Sequence, residues 1–247
     1  MSRFSDVQTF AQEANRISRT CDLMSLLEGA VLGLGFDYFA LIHHVEVNVA
    51  PTGAVVSLVH YPAAWADMVN ERGYYSDDPV VAACQKAAAG FVWSDVPKII
   101  GLTPRQQEIL DAAADAGVGG GYTVPIHLPG EYAGSCSFGV RTGRPVPHQS
   151  LPAAQYLGCF AFETARRMAQ AQIQNLPPRL TQRQFDCIVL VAQGKSDGDA
   201  AQLLGISPQT VHQHIEDAKR RYGVASRVQL VVRTLFDSQL TFGDIVK

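Results

Sequence analysis

Residues 196–222 read SDGDAAQLLGISPQTVHQHIEDAKRRY, and this stretch decides the fold of the C-terminal quarter. Ser196 is the expected N-cap of one helix and Ser207 of the next, because a serine hydroxyl accepts a hydrogen bond from the first helical turn. Gly205 suits the tight turn between them. The second helix carries one apolar face at helical spacing, formed by Val211, Ile215, Ala218 and Tyr222. Its polar residues near the N-terminus are therefore left outside the core.

Two helices joined by a short turn, the second with a polar N-terminal half, have the helix-turn-helix geometry that enters the major groove of double-stranded DNA. The polar side chains are placed to reach base edges and the basic ones to meet phosphates. The candidate DNA-binding residues are Lys195, Gln209, Thr210, His212, Gln213, Glu216, Lys219 and Arg220, with Arg221 as a further phosphate contact. Glu216 is unusual in this set, because it repels phosphate although it can accept from cytosine N4. The alternative is a helical bundle whose charges are merely solvated.

The region around this motif separates from the rest of the chain. Residues 180–236 predict four short helices, the first opened by Thr181 with Gln184 completing a capping box. Residues 176–247 carry 9 Lys and Arg against 7 Asp and Glu, whereas residues 1–175 carry 11 against 16. A slightly basic tail fits a polyanionic partner. Because Pro177 and Pro178 cannot continue a helix, we expect an N-terminal domain at 1–170, a linker at 171–179 and a C-terminal domain that carries the helix-turn-helix at 180–247.

The N-terminal part alternates helix and strand patterns. The predicted helices cover 5–19, 22–34, 62–72, 79–89, a segment opened by Thr103-Pro104, and 148–171; the predicted strands cover 38–47, 54–59, 122–128 and 134–140. The turn Pro51-Thr52-Gly53 would join the first two strands as a hairpin. We expect an α+β fold, with an N-terminal α/β/α sandwich around a central antiparallel sheet and a small all-α four-helix domain after it.

Composition excludes several classes of protein. The chain has 247 residues, of which 47% are hydrophobic and 17% charged, so a packed core is expected and global disorder is excluded. No apolar run approaches the roughly 18–20 residues of a membrane span, and the N-terminus lacks the apolar core of a secretion signal. We therefore expect a cytoplasmic protein without a membrane partner.

Neither a metal site nor an active site is expected. The five cysteines form no CxxC pair. His43 and His44 on a strand, and His212 and His214 on a helix, are spaced so that each pair points apart. The residues that could seed a hydrolase are Ser135, Ser137 and His127. They lack the GxSxG turn that presents a nucleophilic serine, so we expect that the protein is not an enzyme.

Motifs in both parts of the chain resemble one known family. The C-terminal set, Leu180-Thr181-x-Arg183, Gly194-Lys195, Ala200-Ala201, Leu204-x-Ile206-Ser207, Thr210-Val211-x-x-His214 and Val224-x-x-Arg227, resembles the LuxR-type DNA-binding domain. The N-terminal set, Tyr61-Pro62-x-x-Trp65, Asp78-Pro79-Val80, Phe91-x-Trp93-Ser94, Gly117-Val118-x-x-Gly121 and Pro125, resembles the autoinducer-binding domain of quorum-sensing receptors. The resemblance implies a transcription regulator whose small-molecule effector is an N-acyl-homoserine lactone, with no other cofactor.

The resemblance also implies roles for individual residues. The expected ligand-binding residues are Tyr61, Trp65, Val69, Asp78, Pro79, Trp93, Gly121 and Ser137. Trp65 is similar to a tryptophan whose indole N–H donates to the lactone carbonyl, and Asp78 to an aspartate that accepts the ligand's amide N–H. Tyr61 would meet the acyl carbonyl, with Ser137 near the same group. Trp93 would pack on the lactone ring.

Gly121 matches a family glycine at the pocket wall, where backbone comes close. Two positions depart from the pattern: Val69 stands where an aromatic residue is common, and Gln184 replaces a glutamate. The loss of an aromatic ring at Val69 leaves open an orphan receptor for a non-lactone ligand. A ligand-independent DNA-binding regulator, its pocket filled by side chains, is the other alternative.

The partners implied are double-stranded DNA with a roughly palindromic operator, the lactone, a second copy of the chain, and RNA polymerase as a further candidate. We expect the homodimer to form through the N-terminal domains and the last helix. That helix carries an apolar stripe formed by Val228, Val231, Val232 and Leu235.

Overall fold

The computed structural model describes residues 3–45, 55–129, 131–171 and 178–246, and the chain divides into two compact units. The first comprises residues 1–127 and 132–174, and the second comprises residues 128–131 and 175–247. The expected turn at 51–53 and residues 172–177 of the expected linker lie outside the described residues. None of the helices in the described ranges is both long and apolar enough to cross a bilayer.

An antiparallel sheet of five strands forms the centre of the first unit, in the order β2-β1-β5-β4-β3. The strands are β1 Tyr38–His43, β2 Ser57–His60, β3 Phe91–Val92, β4 Val118–Ile126 and β5 Gly134–Arg141. In the register, Thr123 of β4 and Ala40 of β1 both lie beside Ser137 of β5. The edge strand β3 was not expected, because two residues are too few to show an alternating pattern.

Helices cover the two faces of this sheet, so the predicted α/β/α sandwich is confirmed. The helices of the first unit are α1 Arg3–Ala14, α2 Thr20–Leu34, α3 Ala63–Arg72, α4 Pro79–Cys84, α5 Val96–Ile99, α6 Pro104–Asp115 and α7 Leu151–Ala171. Helices α1, α2 and α7 share one hydrophobic core with the sheet. The long helix α7 packs closely on the sheet at Gly158, where a Cβ would lie only 3.1 Å from Val124 Cγ2 of β4.

Several helix boundaries differ from the expected ones for identifiable reasons. Helix α1 ends at Ala14 rather than Arg19, and Arg167 donates to the carbonyl of Ala14. Helix α4 ends at Cys84 rather than at residue 89, and the ring of His127 bonds the Cys84 carbonyl. In both cases a side chain distant in sequence binds a carbonyl at the helix end, which no local pattern reveals.

The second unit is a bundle of short helices. They are α8 Gln182–Ala192, α9 Asp197–Leu204, α10 Pro208–Tyr222, α11 Arg227–Phe236 and α12 Phe242–Ile245. Thr181 and Gln184 form the predicted capping box, and Ser196 and Ser207 cap α9 and α10 as predicted. Gly205 ends α9 in a left-handed conformation, with φ of 67°. The predicted helix-turn-helix is therefore α9 and α10, and within residues 178–246 the structure adds α12 to the four helices expected.

Candidate functional site

The first unit encloses a cavity of about 80 Å³ between the sheet and helices α3, α4 and α6. Most of its lining is apolar, including Val81 of α4 and Ile109 of α6. Five of the residues singled out from the sequence line it: Tyr61, Trp65, Asp78, Trp93 and Ser137. These residues are up to 76 positions apart in the chain, since Tyr61 and Ser137 come from different elements, and the fold brings them to one place. Val69, Pro79 and Gly121 are not part of the lining.

A chain of hydrogen bonds crosses one side of the cavity. The Trp93 Nε1–H donates to Thr123 Oγ1 at 2.9 Å, and that hydroxyl lies 2.8 Å from Ser137 Oγ. Thr123 and Ser137 are fully or nearly fully buried. The indole N–H of Trp93 is therefore satisfied inside the protein, and its ring is held at a fixed angle to the sheet.

Gly121 lies directly under the Trp93 ring. A Cβ at this position would lie 2.4 Å from the Phe138 carbonyl oxygen and 2.7 Å from Trp93 Cε2. Both distances are too short for any real contact, so a side chain here would force the indole or the neighbouring strand to move. The close backbone approach expected at Gly121 is thus a geometric requirement for the position of Trp93.

Asp78 both caps helix α4 and lines the cavity. Its Oδ1 accepts hydrogen bonds from the N–H groups of Val80 at 2.7 Å and Val81 at 3.4 Å, which makes it the N-cap of α4. Burial raises the pKa of Asp78, while the two backbone N–H groups act in the opposite direction. No hydrogen bond from the described residues reaches its second oxygen, Oδ2.

Two aromatic residues, Tyr61 and Trp65, line the cavity together with Asp78. Burial, followed by the nearby charge of Asp78, raises the pKa of the Tyr61 hydroxyl far above its usual range, so this group is a neutral donor. Trp65 is 9% exposed and packs against Tyr74, with ring centroids 6.1 Å apart. Val69 is part of the same hydrophobic cluster. Val69 therefore packs against the cluster that contains Trp65 without itself lining the cavity.

The residues that could have seeded a hydrolase, His127 and Ser135, are not hydrogen-bonded to each other in the structure. His127 Nε2 lies 3.0 Å from the Cys84 carbonyl oxygen and is not placed beside a serine. The histidine next to Ser135 is instead His44, with Nε2 2.9 Å from Ser135 Oγ. Its other ring nitrogen, Nδ1, is buried without a partner among the described residues, so none of those residues orients the ring through Nδ1 as the third member of a catalytic triad would. Within those residues, no group of three or more His, Cys, Asp or Glu could hold a metal ion.

The second unit presents a polar surface on α10. Its buried face consists of Val211, Ile215 and Ala218, so the polar residues at the start of the helix point outward. Of the eight residues other than Arg221 that were predicted to meet DNA, six are exposed and two are half-buried. The exposed ones are Lys195, Gln209, Thr210, His212, Gln213 and Arg220, and the half-buried ones are Glu216 and Lys219.

Several of these side chains are already paired within the protein. His212 Nδ1 lies 3.3 Å from Asp197 Oδ2, and Lys219 donates to Glu216 at 2.8 Å. Glu216 therefore carries a lysine partner, which reduces the repulsion that a lone carboxylate would exert on a phosphate. Arg221, the further phosphate-contact candidate, is exposed and donates to the carbonyl of Arg179 at 2.9 Å.

Both units match known families. Residues 20–165 match the autoinducer binding domain, and residues 178–234 match the domain described as bacterial regulatory proteins, luxR family. The first match alone covers more than half of the chain. The chain belongs to the LuxR family of autoinducer-binding regulators. The predictions of an autoinducer-binding fold, a LuxR-type helix-turn-helix and a quorum-sensing transcription regulator are thereby confirmed.

Individual LuxR-family relatives are distant in sequence. The transcriptional activator BjaR1 of Bradyrhizobium diazoefficiens is 28% identical over 210 residues, which are 85% of this chain and 86% of that protein. SdiA of Escherichia coli superposes with a TM-score of 0.75 at 21% identity, covering 97% of this chain and 100% of SdiA. CepR2 of Burkholderia cenocepacia, described as an N-acylhomoserine lactone dependent LuxR family transcription factor, gives a TM-score of 0.51 at 14% identity, covering 68% and 96%. The solved structures agree with this one in fold.

Sequence reasoning missed two polar residues around the cavity of this LuxR-family chain. Thr123 connects Trp93 to Ser137, and His44 contacts Ser135. A threonine in an otherwise apolar and small-residue strand was a visible signal, but its partner depends on the strand register. His44 follows the end of β1, where sequence alone gives no pairing.

Proposed function

We propose that this LuxR-family regulator senses an N-acyl-homoserine lactone in the cavity of its first unit and binds operator DNA through α9 and α10. The observation that carries the proposal is the convergence of Tyr61, Trp65 and Asp78 on one largely apolar cavity. Pockets of this kind, apolar with a few converging polar groups, are typical of small-molecule sites. CepR2, which shares the fold, is described as dependent on such a lactone.

The polar groups match the two ends of the lactone's head. Asp78 Oδ2 is the acceptor for the amide N–H, because Oδ1 is engaged as the cap of α4. The neutral Tyr61 hydroxyl donates to the acyl carbonyl, with Ser137 close by, and the Trp65 indole N–H donates to the lactone carbonyl. Trp93, fixed by Thr123 and by the absence of a side chain at Gly121, packs against the lactone ring. Pro79 begins α4 beside Asp78, and Val69 supports the wall behind Trp65.

The size of the cavity bears on how the ligand enters. At about 80 Å³ it is smaller than the ~300 Å³ that small-molecule sites usually offer. A lactone with an acyl chain therefore needs the wall formed by α3, α4 and α6 to move outward. Since the ligand would bind the folded state and not the unfolded chain, it would stabilise the protein by mass action.

The remaining features of the proposal concern assembly and partners. We infer a homodimer that reads a roughly palindromic operator in the cytoplasm, with RNA polymerase as a further candidate partner. In the last long helix, α11, Val228 and Val232 are 68% and 60% exposed, so this part of the apolar stripe is available to a second copy. Val231 and Leu235 contribute instead to the core of the second unit. The base-contacting candidates are Gln209, Thr210, His212, Gln213 and Glu216, and the phosphate-contacting candidates are Lys195, Lys219 and Arg220.

The small cavity also favours a second candidate, a regulator that binds DNA without any ligand because side chains fill the pocket. Val69 stands where an aromatic residue is common in the family. This difference supports a variant of the first proposal, in which the ligand is not a lactone.

One experiment separates these functions. The melting temperature of the full-length protein is measured against N-acyl-homoserine lactones of graded chain length. In parallel, its affinity for double-stranded DNA is measured with and without each ligand. A saturable rise with one range of chain length is expected. No shift with any lactone from folded protein would reject the lactone receptor, and DNA affinity unaffected by every ligand would favour the ligand-independent regulator.

A further inference from the structure

One arginine of α6 reaches across the cavity wall to the end of α3 and to the short 3₁₀ helix Tyr74–Asp77 that follows it. The guanidinium carbon of Arg105 lies 4.8 Å from the centroid of the Tyr74 ring. Its Nη2 donates to the Arg72 carbonyl at 3.3 Å, and its Nε lies 4.0 Å from Asp77 Oδ2. Arg105 therefore connects α6 to the segment that joins α3 to α4.

The tyrosine under this arginine directly backs the cavity lining. Tyr74 is only 1% exposed, and its ring centroid lies 6.1 Å from that of Trp65, which lines the cavity. Tyr74 also belongs to the same hydrophobic cluster as Ile109 and Ala113, the residues through which α6 lines the cavity together with its neighbour at 110. A displacement of α6 from the cavity is therefore also a displacement from Tyr74.

The charged groups around Tyr74 form a network and not an isolated surface pair. Arg105 Nη1 lies 3.0 Å from both carboxylate oxygens of Glu108. Arg72 donates to the Tyr74 hydroxyl at 3.0 Å, and that hydroxyl donates to Glu108 at 3.5 Å. Single exposed ion pairs contribute little to stability, but networks contribute more, and a guanidinium over an aromatic face adds a cation–π attraction. We call Arg72, Tyr74, Asp77, Arg105 and Glu108 the Arg105 cluster.

The contacts of this cluster differ in what happens to them when the wall moves. Arg105 and Glu108 are both in α6, so their ion pair survives any movement of α6 as a unit. The contacts of Arg105 with the Arg72 carbonyl, the Tyr74 ring and Asp77 cross between two segments of the wall. Because the cavity of about 80 Å³ must widen to admit a ligand, these crossing contacts stabilise the closed cavity alone.

A contact that exists only in the closed state lowers the fraction of open molecules, and the apparent affinity of a ligand that needs the open state falls by the same factor. We propose that Arg105 is a latch that keeps the cavity closed before a ligand binds, and that it thereby raises the ligand concentration at which the receptor responds. A cation–π contact at a partly exposed site changes such an equilibrium by about two- to fivefold. The effect on the response rests on the proposed lactone function, whereas the latch itself does not.

The test compares two variants of the latch with a matched control in the full-length protein. Arg105→Met keeps an unbranched apolar stem and removes the guanidinium, and Arg105→Lys keeps the charge but loses the planar fork. The control is Arg166→Met, because Arg166 also pairs with a glutamate three residues away, Glu163, but lies in α7, which contributes no residue to the cavity lining. The control therefore removes a similar ion pair without touching the wall.

The first readout needs no ligand, because the two tryptophans of the chain, Trp65 and Trp93, both line the cavity. Hydrogen exchange of their indole N–H groups is followed by NMR, and its rate is proportional to the open fraction when reclosing is fast. Exchange at Trp65 should be about two- to fivefold faster in Arg105→Met, less so in Arg105→Lys, and unchanged in the control. Trp93, whose N–H donates to Thr123, should change less, which distinguishes opening of the wall from unfolding of the unit.

The second readout is the dissociation constant, by titration calorimetry, for N-hexanoyl-, N-octanoyl-, N-decanoyl- and N-dodecanoyl-homoserine lactone. Arg105→Met should bind the lactone that the wild type prefers about two- to fivefold more tightly, and Arg166→Met should match the wild type. Equal Trp65 exchange in Arg105→Met and the wild type would overturn the latch. Faster exchange with unchanged or weaker binding would overturn its effect on the response. Binding of none of the lactones would reject the lactone function, while the exchange rates would still decide whether Arg105 holds the wall closed.

Discussion

The neighbouring glycines of β4 provide a sharp test of the site geometry. In Gly121→Ala the new methyl group would lie 2.4 Å from the Phe138 carbonyl oxygen and 2.7 Å from the Trp93 ring. In Gly120→Ala the nearest atom is Val146 Cγ2 at 3.6 Å, which is an ordinary contact. Neither glycine has a positive φ, so the two substitutions differ in contacts and not in backbone strain.

Overpacking of this kind typically costs 1–3 kcal/mol, and we expect Gly121→Ala near the upper end, about 3 kcal/mol, because one clashing atom is backbone in the paired strand β5. For a protein of this size that corresponds to a fall in melting temperature of roughly 6–12 °C. Gly120→Ala should change stability by less than about 1 kcal/mol.

The assay is thermal unfolding followed by tryptophan fluorescence. The chain has only two tryptophans, Trp65 and Trp93, and both lie in the first unit, so the signal reports that unit. Gly121→Ala should also shift the emission of the folded protein, since Trp93 is displaced from Thr123. Equal melting temperatures for the two variants would refute the argument that Gly121 is required for the position of Trp93.

Three further substitutions test other parts of the structure. Asp78→Asn keeps an oxygen to cap α4, so the protein should fold normally, but loss of a charged acceptor should weaken lactone binding roughly 10- to 100-fold in calorimetry; an unchanged affinity would remove Asp78 from the site. Lys219→Ala should weaken binding to all DNA sequences alike in gel-shift assays, whereas Gln213→Ala should alter the preference among them, and identical behaviour would contradict the placement of α10. His44 has a folded pKa of about 4, below its unfolded value of 6.5, so it stabilises the fold above pH 6.5 and this stability is lost as the pH falls toward 4. Urea unfolding should show the wild type losing about 2 kcal/mol more than His44→Phe between pH 7 and pH 5, and parallel losses would contradict a buried neutral ring.

The helices of the second unit were predicted almost completely from local sequence signals. Each of its predicted caps depends on residues three positions apart, such as Thr181 with Gln184 and Ser196 with Asp199, and the structure forms these pairs. The apolar face of α10 was likewise predicted from residues within one helix. Helix starts and amphipathic faces are properties of adjacent turns, so a single sequence is sufficient to place them.

The first unit was predicted less completely, because its details depend on distant partners. The strand β3 consists of two residues that pair with Thr123 and Tyr122 of β4. Helix α4 stops where a histidine more than forty residues away binds its last carbonyl. The same limitation applies to the site: the family pattern supplied Trp93 and Ser137, but Thr123 between them follows only from the register of β4 against β5.

Asp78 shows why a structural and a functional interpretation of one residue need not exclude each other. An aspartate before a proline is most simply a helix cap, and here it does cap α4 through Oδ1. That bond fixes the carboxyl group against rotation and consumes only one of its oxygens. The other oxygen has no hydrogen bond from the described residues, and burial raises the pKa of Asp78, which lines the cavity. Because capping has already restricted the side chain, a ligand that binds Oδ2 loses less conformational entropy than it would with a mobile aspartate.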